Sequence, residues 1–315
     1  MEEKKKKWIR RAGLVMSLGL LAGAIWFLHR ELDHYRYGDI VHSINKISGL
    51  HLVAAFGLTV LNYLLLTFYD VLALRYIDHS LEYRRVALAS FIGYAFNNLG
   101  LSMIAGSSLR YRFYMAWNLT AENVTKVVLF YNVTIWIGLF ALGGLVFFLV
   151  PMGIPRWLHA PFASTRPLGA VLLSILTVYL LASLAGSRTI RLRKWTFAMP
   201  SKELCSLQVA ASTAAWLFSA GVLFALLPHT DQLTATHFVE VFMLAQIAGI
   251  VSQVPGGLGV FESVMVVGIG RAIPFDEILG ALMLFRIIYY FLPLILGMGL
   301  LGAYELLGRK TSSSS

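Results

Sequence analysis

One stretch of the sequence combines a carboxylate with residues that break helices. In SQVPGGLGVFESVM, residues 252–265, Glu262 follows a short run of proline and glycine inside an otherwise apolar segment. The helix-breaking residues are Pro255, Gly256, Gly257 and Gly259. Proline lacks a backbone N–H and glycine permits sharp bends, so the stretch predicts a break in a helix. Exposed backbone at membrane depth is tolerated only when buried in protein or facing a polar cavity, so we expect a polar junction beside Glu262.

Glu262 has two chemical interpretations. A carboxylate among apolar residues is costly, and such residues usually face a cavity or a charged partner. Glu262 could contact a cationic headgroup or couple transport to a proton; alternatively, it forms a structural ion pair with Arg286 or Arg271. Gln253, which borders the break, is a further candidate contact for a substrate.

A second stretch, GSSLRYRFY at 106–114, alternates arginine with tyrosine. The guanidinium forks of Arg110 and Arg112 match phosphate oxygens, and tyrosine is favourable at headgroup depth. Gly106, predicted as part of a helix break, precedes two serines in a segment that could expose backbone N–H groups to an anion. The stretch predicts a phosphate-binding site, and the alternative is a plain cytoplasmic anchor.

Two further charged residues lie in apolar runs. Arg286 lies within the last of these runs and could pair with Glu262 or contact a lipid phosphate. Asp70 is five residues before Arg75, and this spacing predicts an ion pair at the membrane interface.

The composition is that of a membrane protein. Of 315 residues, 58% are hydrophobic and 13% are charged, and the mean hydropathy is +0.71. A soluble chain of this length could not hide so much apolar surface. Several runs also approach or exceed the roughly 20 residues that span a bilayer core.

Composition and motifs also exclude other classes of function. The net charge of +10 comes from basic residues beside apolar runs, where lipid headgroups and the positive-inside rule explain them, so no direct nucleic-acid binding is expected. The single cysteine, Cys205, excludes a disulfide within the chain and a cysteine-rich metal site. The sequence contains no GxSxG, Walker A, HExxH or CxxC motif, and it predicts no cofactor or metal.

The apolar runs predict an all-α, polytopic membrane protein with about six spanning helices in a single domain, 1–315. The spanning runs are 12–28, 50–74, 126–149, 168–186, 205–227 and 278–306. Two further runs, 86–109 and 238–271, are interrupted by polar residues and glycines, and 307–315 reads as a tail. The run 12–28 is interpreted as a retained helix and not as a signal peptide, because no small-residue cleavage site follows it.

The distribution of lysine and arginine predicts the topology. Both termini and the basic loop 187–202 are expected in the cytoplasm, and the loop 228–237, which has no lysine or arginine, outside. Five crossings before residue 187 would put that loop outside, so one run must fail to cross. The best candidate is 86–109, which is interrupted at Asn98 and Gly100 and is predicted to be a re-entrant hairpin.

The same parity argument makes 238–271 a hairpin that enters from the outside. The halves 50–149 and 205–306, joined by the helix 168–186, then form inverted repeats with broken helices, as in many transporters. The alternative is that both runs are ordinary kinked helices and that one loop departs from the charge rule.

The stretches AGSSLRYRFYMAWNLT and SQVPGGLGVFESVM resemble the membrane domain of bacterial lysylphosphatidylglycerol synthase/flippases, the multiple peptide resistance factors, and their stand-alone membrane relatives. The likeness covers nearly the whole chain in segment order. It implies a flippase of the bacterial cytoplasmic membrane that moves aminoacylated phosphatidylglycerol to the outer leaflet and so confers resistance to cationic antimicrobial peptides. By motif match, the family's polar positions fall on Arg110, Arg112 and Glu262.

The sequence departs from the two-part form of that family, because no soluble acyltransferase domain follows the last apolar run. The implied partners are anionic and aminoacylated phospholipids, a cytosolic lysyltransferase domain and a second copy of the chain. Two alternatives stay open: a membrane subunit that presents the acceptor lipid to a lysyltransferase, and a transporter of ions or small solutes. The candidate substrate contacts are Arg110, Arg112, Glu262, Arg286, Asn98 and Gln253.

Overall fold

The computed structural model describes residues 47–97, 104–153, 163–185, 189–192, 195–252 and 254–313. These residues are nearly all helical. The elements in chain order are α1 (Gly49–Tyr76), α2 (Tyr83–Asn97), α3 (Ile104–Ala116), α4 (Ala121–Leu149), α5 (Arg166–Leu184), β1 (Thr189–Leu192), β2 (Trp195–Ala198), α6 (Lys202–Leu226), α7 (Ala235–Ser252), α8 (Val260–Ile269), α9 (Phe275–Phe285) and α10 (Leu292–Ser313). The two short strands pair antiparallel in a small hairpin. The predicted first helix, 12–28, lies outside the described residues.

Six segments of the described chain are long and apolar enough to cross a membrane. They are α1, α4, α5, α6, α7 and Phe275–Leu306, which comprises α9 and most of α10. The predicted class of all-helical, multi-pass membrane protein is therefore confirmed. The six segments are not the same as the six predicted spanning runs. They include α7, which has 18 residues and was predicted as part of the hairpin 238–271.

The run 86–109 is divided into two short helices. With 15 and 13 residues, α2 and α3 are about 20 Å long at 1.5 Å per residue, which is less than the thickness of a hydrocarbon core. They run antiparallel, and the Asn97 side chain at the end of α2 accepts from the Gly106 N–H at 3.0 Å. Gly106 was expected in the break, but it lies in the first turn of α3. A Cβ there would be 2.0 Å from the Gly93 carbonyl oxygen, so this glycine permits close packing of the two helices.

The run 238–271 forms a second antiparallel pair, α7 and α8. The helical path stops at Ser252, passes through a 3₁₀ turn at Pro255–Gly257 and resumes at Val260. The three glycines of this stretch have φ values of +64°, +64° and +76°, in the left-handed region that favours glycine. The Gly268 carbonyl, near the end of α8, lies 3.3 Å from His237 Nε2, near the start of α7. Both ends of this hairpin are therefore at the same end of the bundle.

The last apolar run was expected to be one helix, 278–306. The structure divides it by a π-helical segment, Arg286–Phe291, between α9 and α10. Its sequence, RIIYYF, contains neither proline nor glycine.

Contacts between helix termini define two ends of the bundle. At the Glu203 end, Arg75 of α1 pairs with Glu203 of α6 at 3.7 Å. At the Glu240 end, the Glu240 carboxylate of α7 accepts from the Met152 N–H at 2.8 Å and from the Thr165 hydroxyl at 2.7 Å, on either side of the α4–α5 loop. The first hairpin follows α1 at the Glu203 end, and the second follows α6 at the Glu240 end. The two hairpins thus open toward opposite ends.

The buried core changes composition along the bundle. Along α1, Ala55 belongs to an apolar cluster near the Glu240 end and Leu72 to another near the Glu203 end. Between them, Tyr63 and Tyr69 belong to a third cluster that is rich in tyrosine. The centre of the bundle is therefore its more polar part.

Candidate functional site

The second hairpin places a carboxylate against an arginine of the last apolar run. Arg286 Nε donates to Glu262 Oε1 at 2.7 Å, and its Nη2 donates to the same oxygen. The other carboxylate oxygen, Oε2, accepts from the Gly259 N–H at 2.8 Å, so Glu262 also caps the start of α8. Both terminal nitrogens of Arg286 lie 3.4 Å from the Gly256 carbonyl, which the left-handed turn directs toward them.

The π-helical segment positions Arg286. A π turn shifts the hydrogen-bond register by one residue and often marks a functional site. Within this segment, Arg286, Tyr289 and Phe291 are buried. Two residues of α1 hold the π-helical segment at Tyr289. The Tyr63 hydroxyl donates to the Tyr289 carbonyl at 3.3 Å, and the Asn62 amide donates to the Tyr289 hydroxyl.

The first hairpin contributes Arg110 to a second pair, whose carboxylate, Asp70, lies on α1. Arg110 Nε donates to Asp70 Oδ1 at 3.0 Å, and Nη2 donates to Asp70 Oδ2 at 3.2 Å, so the fork is bidentate. The carboxylate also accepts from the Ser90 hydroxyl and from the Tyr114 hydroxyl, each at 2.8 Å. The Arg110 Nη2 group donates to the Ser90 carbonyl at 3.3 Å as well.

Two tyrosines enclose the Arg110 guanidinium. Its central carbon lies 4.2 Å from the ring centroid of Tyr94 and 4.2 Å from that of Tyr131. Gly93 makes room for this arrangement, because a Cβ there would be 2.3 Å from Arg110 Nη1. Cation–π contacts of a desolvated cation contribute about 2 kcal/mol each, so the rings stabilise a charge that would otherwise be costly to bury.

The two pairs differ in access. The side chains of Asp70 and Arg110 are both 0% exposed, whereas Glu262 is 17% and Arg286 is 7% exposed. Within the described residues, Arg110 Nη1 and the Tyr94 hydroxyl are buried without a hydrogen-bond partner. Unsatisfied buried polar groups are rare and need an explanation, and these two occur in the same enclosure.

Three of the six predicted substrate contacts belong to these two ion pairs. Arg110, Glu262 and Arg286 lie in the two pairs, and the suggested pairing of Glu262 is with Arg286 and not with Arg271, which is exposed. Arg112 faces Glu305 of α10, with which it forms an ion pair. Asn98, Gly100 and Gln253 lie outside the described residues.

The prediction that Asp70 pairs with Arg75 is wrong. Asp70 faces inward and binds Arg110, 40 residues along the chain, and Arg75 binds Glu203. Sequence spacing along one helix missed this contact because the partner lies on the first hairpin. The tyrosines Tyr94 and Tyr131 were also missed, although a tyrosine in an apolar segment is a weak signal that a hydroxyl or a ring face has a partner.

No metal centre was predicted, and in the described part of the chain no three His, Cys, Asp or Glu side chains are grouped closely enough to hold a metal ion. The two pairs together supply two guanidinium forks and two carboxylates, which are groups that bind phosphate and ammonium.

Comparison with known proteins identifies the family of the chain. The sequence profile of the family described as "Lysylphosphatidylglycerol synthase TM region" matches residues 13–297. The chain belongs to this family. The resemblance of the two charged stretches is thereby confirmed, and both lie within the matched residues.

Three relatives illustrate the breadth of this family. The chain is 35% identical to the "Uncharacterized protein slr0712" of Synechocystis over 91% of this chain and 89% of the relative. It is 30% identical to the "Inner membrane protein YbhN" of Escherichia coli over 85% of this chain and 84% of that protein. It is 24% identical to a "Phosphatidylglycerol lysyltransferase" of Staphylococcus haemolyticus over 96% of this chain, but over only 35% of that longer protein. The family thus includes proteins of about this length and the membrane part of larger ones.

Proposed function

We propose that the protein is a lipid translocator that moves aminoacylated phosphatidylglycerol from the inner to the outer leaflet of the bacterial cytoplasmic membrane. The observation that carries the proposal is that each hairpin contributes one member of a buried arginine–carboxylate pair, inside a bundle of membrane-spanning length. Family membership supports the class of lipid, because the family description names lysylphosphatidylglycerol. Display of this cationic lipid outside would weaken cationic antimicrobial peptides.

Exchange of ionic partners gives the pairs a role in translocation. A lysyl headgroup presents a phosphate to the arginine and ammonium groups to the carboxylate. A buried charge that loses its partner is strongly destabilised. The headgroup would replace each lost contact with one of the same sign, so opening the pair would leave neither charge alone. The Glu262–Arg286 pair, with its partial exposure, is the entry point that we favour.

The two hairpins suggest how both leaflets could reach the site. They open toward opposite ends of the bundle, as inverted re-entrant repeats would. In the proposed topology, both chain termini lie in the cytoplasm. Each hairpin also brings two glycines together close to its turn: Gly93 and Gly106 in the first, and Gly249 and Gly257 in the second. Movement would be passive or driven by an ion gradient.

Translocation in proteoliposomes tests the proposal. Lysyl-phosphatidylglycerol is placed in one leaflet, and the accessibility of its amine is followed from the other for wild type, Glu262→Gln, Arg286→Gln and Arg110→Ala. We expect protein-dependent movement that falls at least tenfold in each variant. Glu277→Gln, on the neighbouring α9, is the control for charge removal. Absence of movement with well-folded wild-type protein, with and without a proton gradient, would contradict the proposal.

The similarity to phosphatidylglycerol lysyltransferases favours a second candidate. The chain would then present the acceptor lipid to a soluble lysyltransferase. In that case, proteoliposomes that contain the protein would show no lipid movement. They would still increase the rate at which an added catalytic domain forms lysyl-phosphatidylglycerol. This measurement separates the two functions, because a translocator is active without that domain.

A further inference from the structure

Five buried tyrosines occupy the space between the two ion pairs. They lie on α1, α2, α4 and the π-helical segment, and we call them the tyrosine seam: Tyr63, Tyr69, Tyr94, Tyr131 and Tyr289. Four of them belong to one contacting cluster, with only the small residues Ala211 and Ala215 of α6 completing its buried part. The Arg110 guanidinium lies against two of its rings, those of Tyr94 and Tyr131.

The seam is continuous from one pair to the other. Beginning at Arg110, the Tyr94 ring lies 4.2 Å away, and Tyr69 meets Tyr94 edge-on with centroids 6.2 Å apart. Tyr69 and Tyr94 belong to the same contacting cluster as Tyr63, which also lies on α1.

The far end of the seam reaches the second pair. Tyr289 contacts Tyr63 at 6.0 Å and Tyr290 at 5.2 Å between centroids. The Tyr290 ring centroid is 5.8 Å from the Arg286 guanidinium. The cluster, together with Tyr289 and Tyr290, therefore connects the surroundings of the two arginines.

The choice of tyrosine here is not explained by packing alone. Phenylalanine would fill the same volume without a buried hydroxyl, which costs free energy unless it is hydrogen-bonded. The neighbouring apolar cluster uses phenylalanine at comparable positions, among them Phe238, Phe242 and Phe285. At Tyr94 the hydroxyl finds no partner in the described residues, and neither does the adjacent Arg110 Nη1. Both groups are donors, so the natural ligand for them is an anionic oxygen.

We propose that the tyrosine seam is the path along which a phospholipid headgroup moves between the two ion pairs. This inference rests on the proposed translocator function and adds the residues of the route. Ring faces attract ammonium groups and hydroxyls donate to phosphate oxygens, so the seam replaces part of the water that a charged headgroup loses. Because tyrosines carry no net charge, they hold the headgroup weakly enough to release it, as passage through a conduction pathway requires.

The seam is closed in this structure, so passage requires its rings to separate. Tyr94 lies on the first hairpin, whereas Tyr63 and Tyr69 lie on α1. Movement of the hairpin away from α1 would open the contact of Tyr69 with Tyr94. The same movement would separate Arg110 from Asp70 and free its fork for a phosphate.

Tyr94→Phe distinguishes a route from a structural core. Because the Tyr94 hydroxyl has no partner in the described residues, its removal should leave the thermal midpoint unchanged or slightly higher. On the proposed route, the same variant should translocate lysyl-phosphatidylglycerol about tenfold more slowly, which corresponds to about 1.4 kcal/mol. Tyr69→Phe should behave similarly in transport. The matched control is Tyr179→Phe, which removes a hydroxyl that binds Gln208 in a membrane-spanning helix outside the seam.

A second comparison uses the headgroup itself. Tyr94→Leu removes the ring face as well as the hydroxyl, so it should slow the lysyl lipid more than unmodified phosphatidylglycerol. Tyr94→Phe should slow the two lipids to the same degree, because it keeps the ring. A merely structural role would not change this ratio.

The outcomes separate the route from the function. If Tyr94→Phe and Tyr69→Phe move lipid at the wild-type rate while Arg110→Ala does not, the route is overturned and the translocator stands. If Tyr179→Phe is slowed as much as Tyr94→Phe, the effect is not specific to the seam and the route is again overturned. If wild type moves no lipid, the function is overturned and the route with it.

Discussion

At the scale of single residues, the two arginines differ in how they are neutralised. Arg110 is enclosed by a carboxylate, two aromatic rings and a carbonyl, and its side chain has no exposed surface. Arg286 shares its carboxylate with the start of a helix and keeps a small exposed fraction. Desolvation is therefore complete in the first pair and partial in the second, which is why we place substrate entry at the second.

Removal of Asp70 tests the energetic role of the first pair. Asp70→Ala leaves a buried guanidinium without its counter-ion, and the cost of such a change is about 3–5 kcal/mol. We expect a large fall in the thermal midpoint of the detergent-solubilised protein, measured by unfolding. Glu203→Ala, which breaks the exposed pair with Arg75, should leave the midpoint nearly unchanged.

The double variant Asp70→Leu/Arg110→Met separates stability from function. Replacement of a buried ion pair by apolar residues of similar volume is often neutral for stability. We expect it to recover most of the midpoint that Asp70→Ala loses, and to translocate no lipid. A double variant that translocated lipid normally would show that the first pair is structural only.

At the scale of elements, the sequence predicts those features of a helix or turn that depend on the local amino-acid composition. Gly256, Gly257 and Gly259 permit the left-handed backbone that they adopt, so the break before Glu262 could be located within a few residues. The π-helical segment at Arg286–Phe291 could not be predicted, because its residues are ordinary helix formers and its register is held by Asn62 and Tyr63 of a distant helix. The partner of Arg110 was missed for the same reason: only tertiary packing brings Asp70 to the first hairpin.

Glu240 connects two elements at one end of the bundle. Its Oε1 accepts from the Met152 N–H and from the hydroxyl of Thr165, the residue before α5. Glu240→Ala should free the α4–α5 loop, and we expect faster amide hydrogen exchange at Met152 with little change in the middle of α4. Glu122→Ala, which breaks an exposed pair with Lys126, is the control. Unchanged exchange at Met152 would mean that the loop is held by other contacts.

At the scale of the whole molecule, the fold holds two pairs of opposite charges inside an apolar bundle. Each charged pair is made between a hairpin and a long helix, so a relative movement of the two would break and remake the pair. The centre carries tyrosine where both ends carry aliphatic and phenylalanine side chains. Polar capacity is thus concentrated in the middle of the bundle, between the two ion pairs. On the proposed route, this is where a headgroup in transit would have lost most of its water.

The proposed inverted arrangement of the hairpins makes a prediction about sidedness. In a protein whose only cysteine has been removed by Cys205→Ser, single cysteines are placed before and after each hairpin at exposed positions: Glu82 and Ala121 for the first, Gln232 and Arg271 for the second. If both hairpins are re-entrant, an impermeant maleimide applied outside should label cysteines at 232 and 271 and spare those at 82 and 121. In permeabilised cells the maleimide should label all four cysteines, which controls for accessibility.

Labelling of 82 and 121 from opposite sides would mean that the first hairpin crosses the membrane. The inverted repeat would then be wrong, because its two halves would no longer contain equivalent elements.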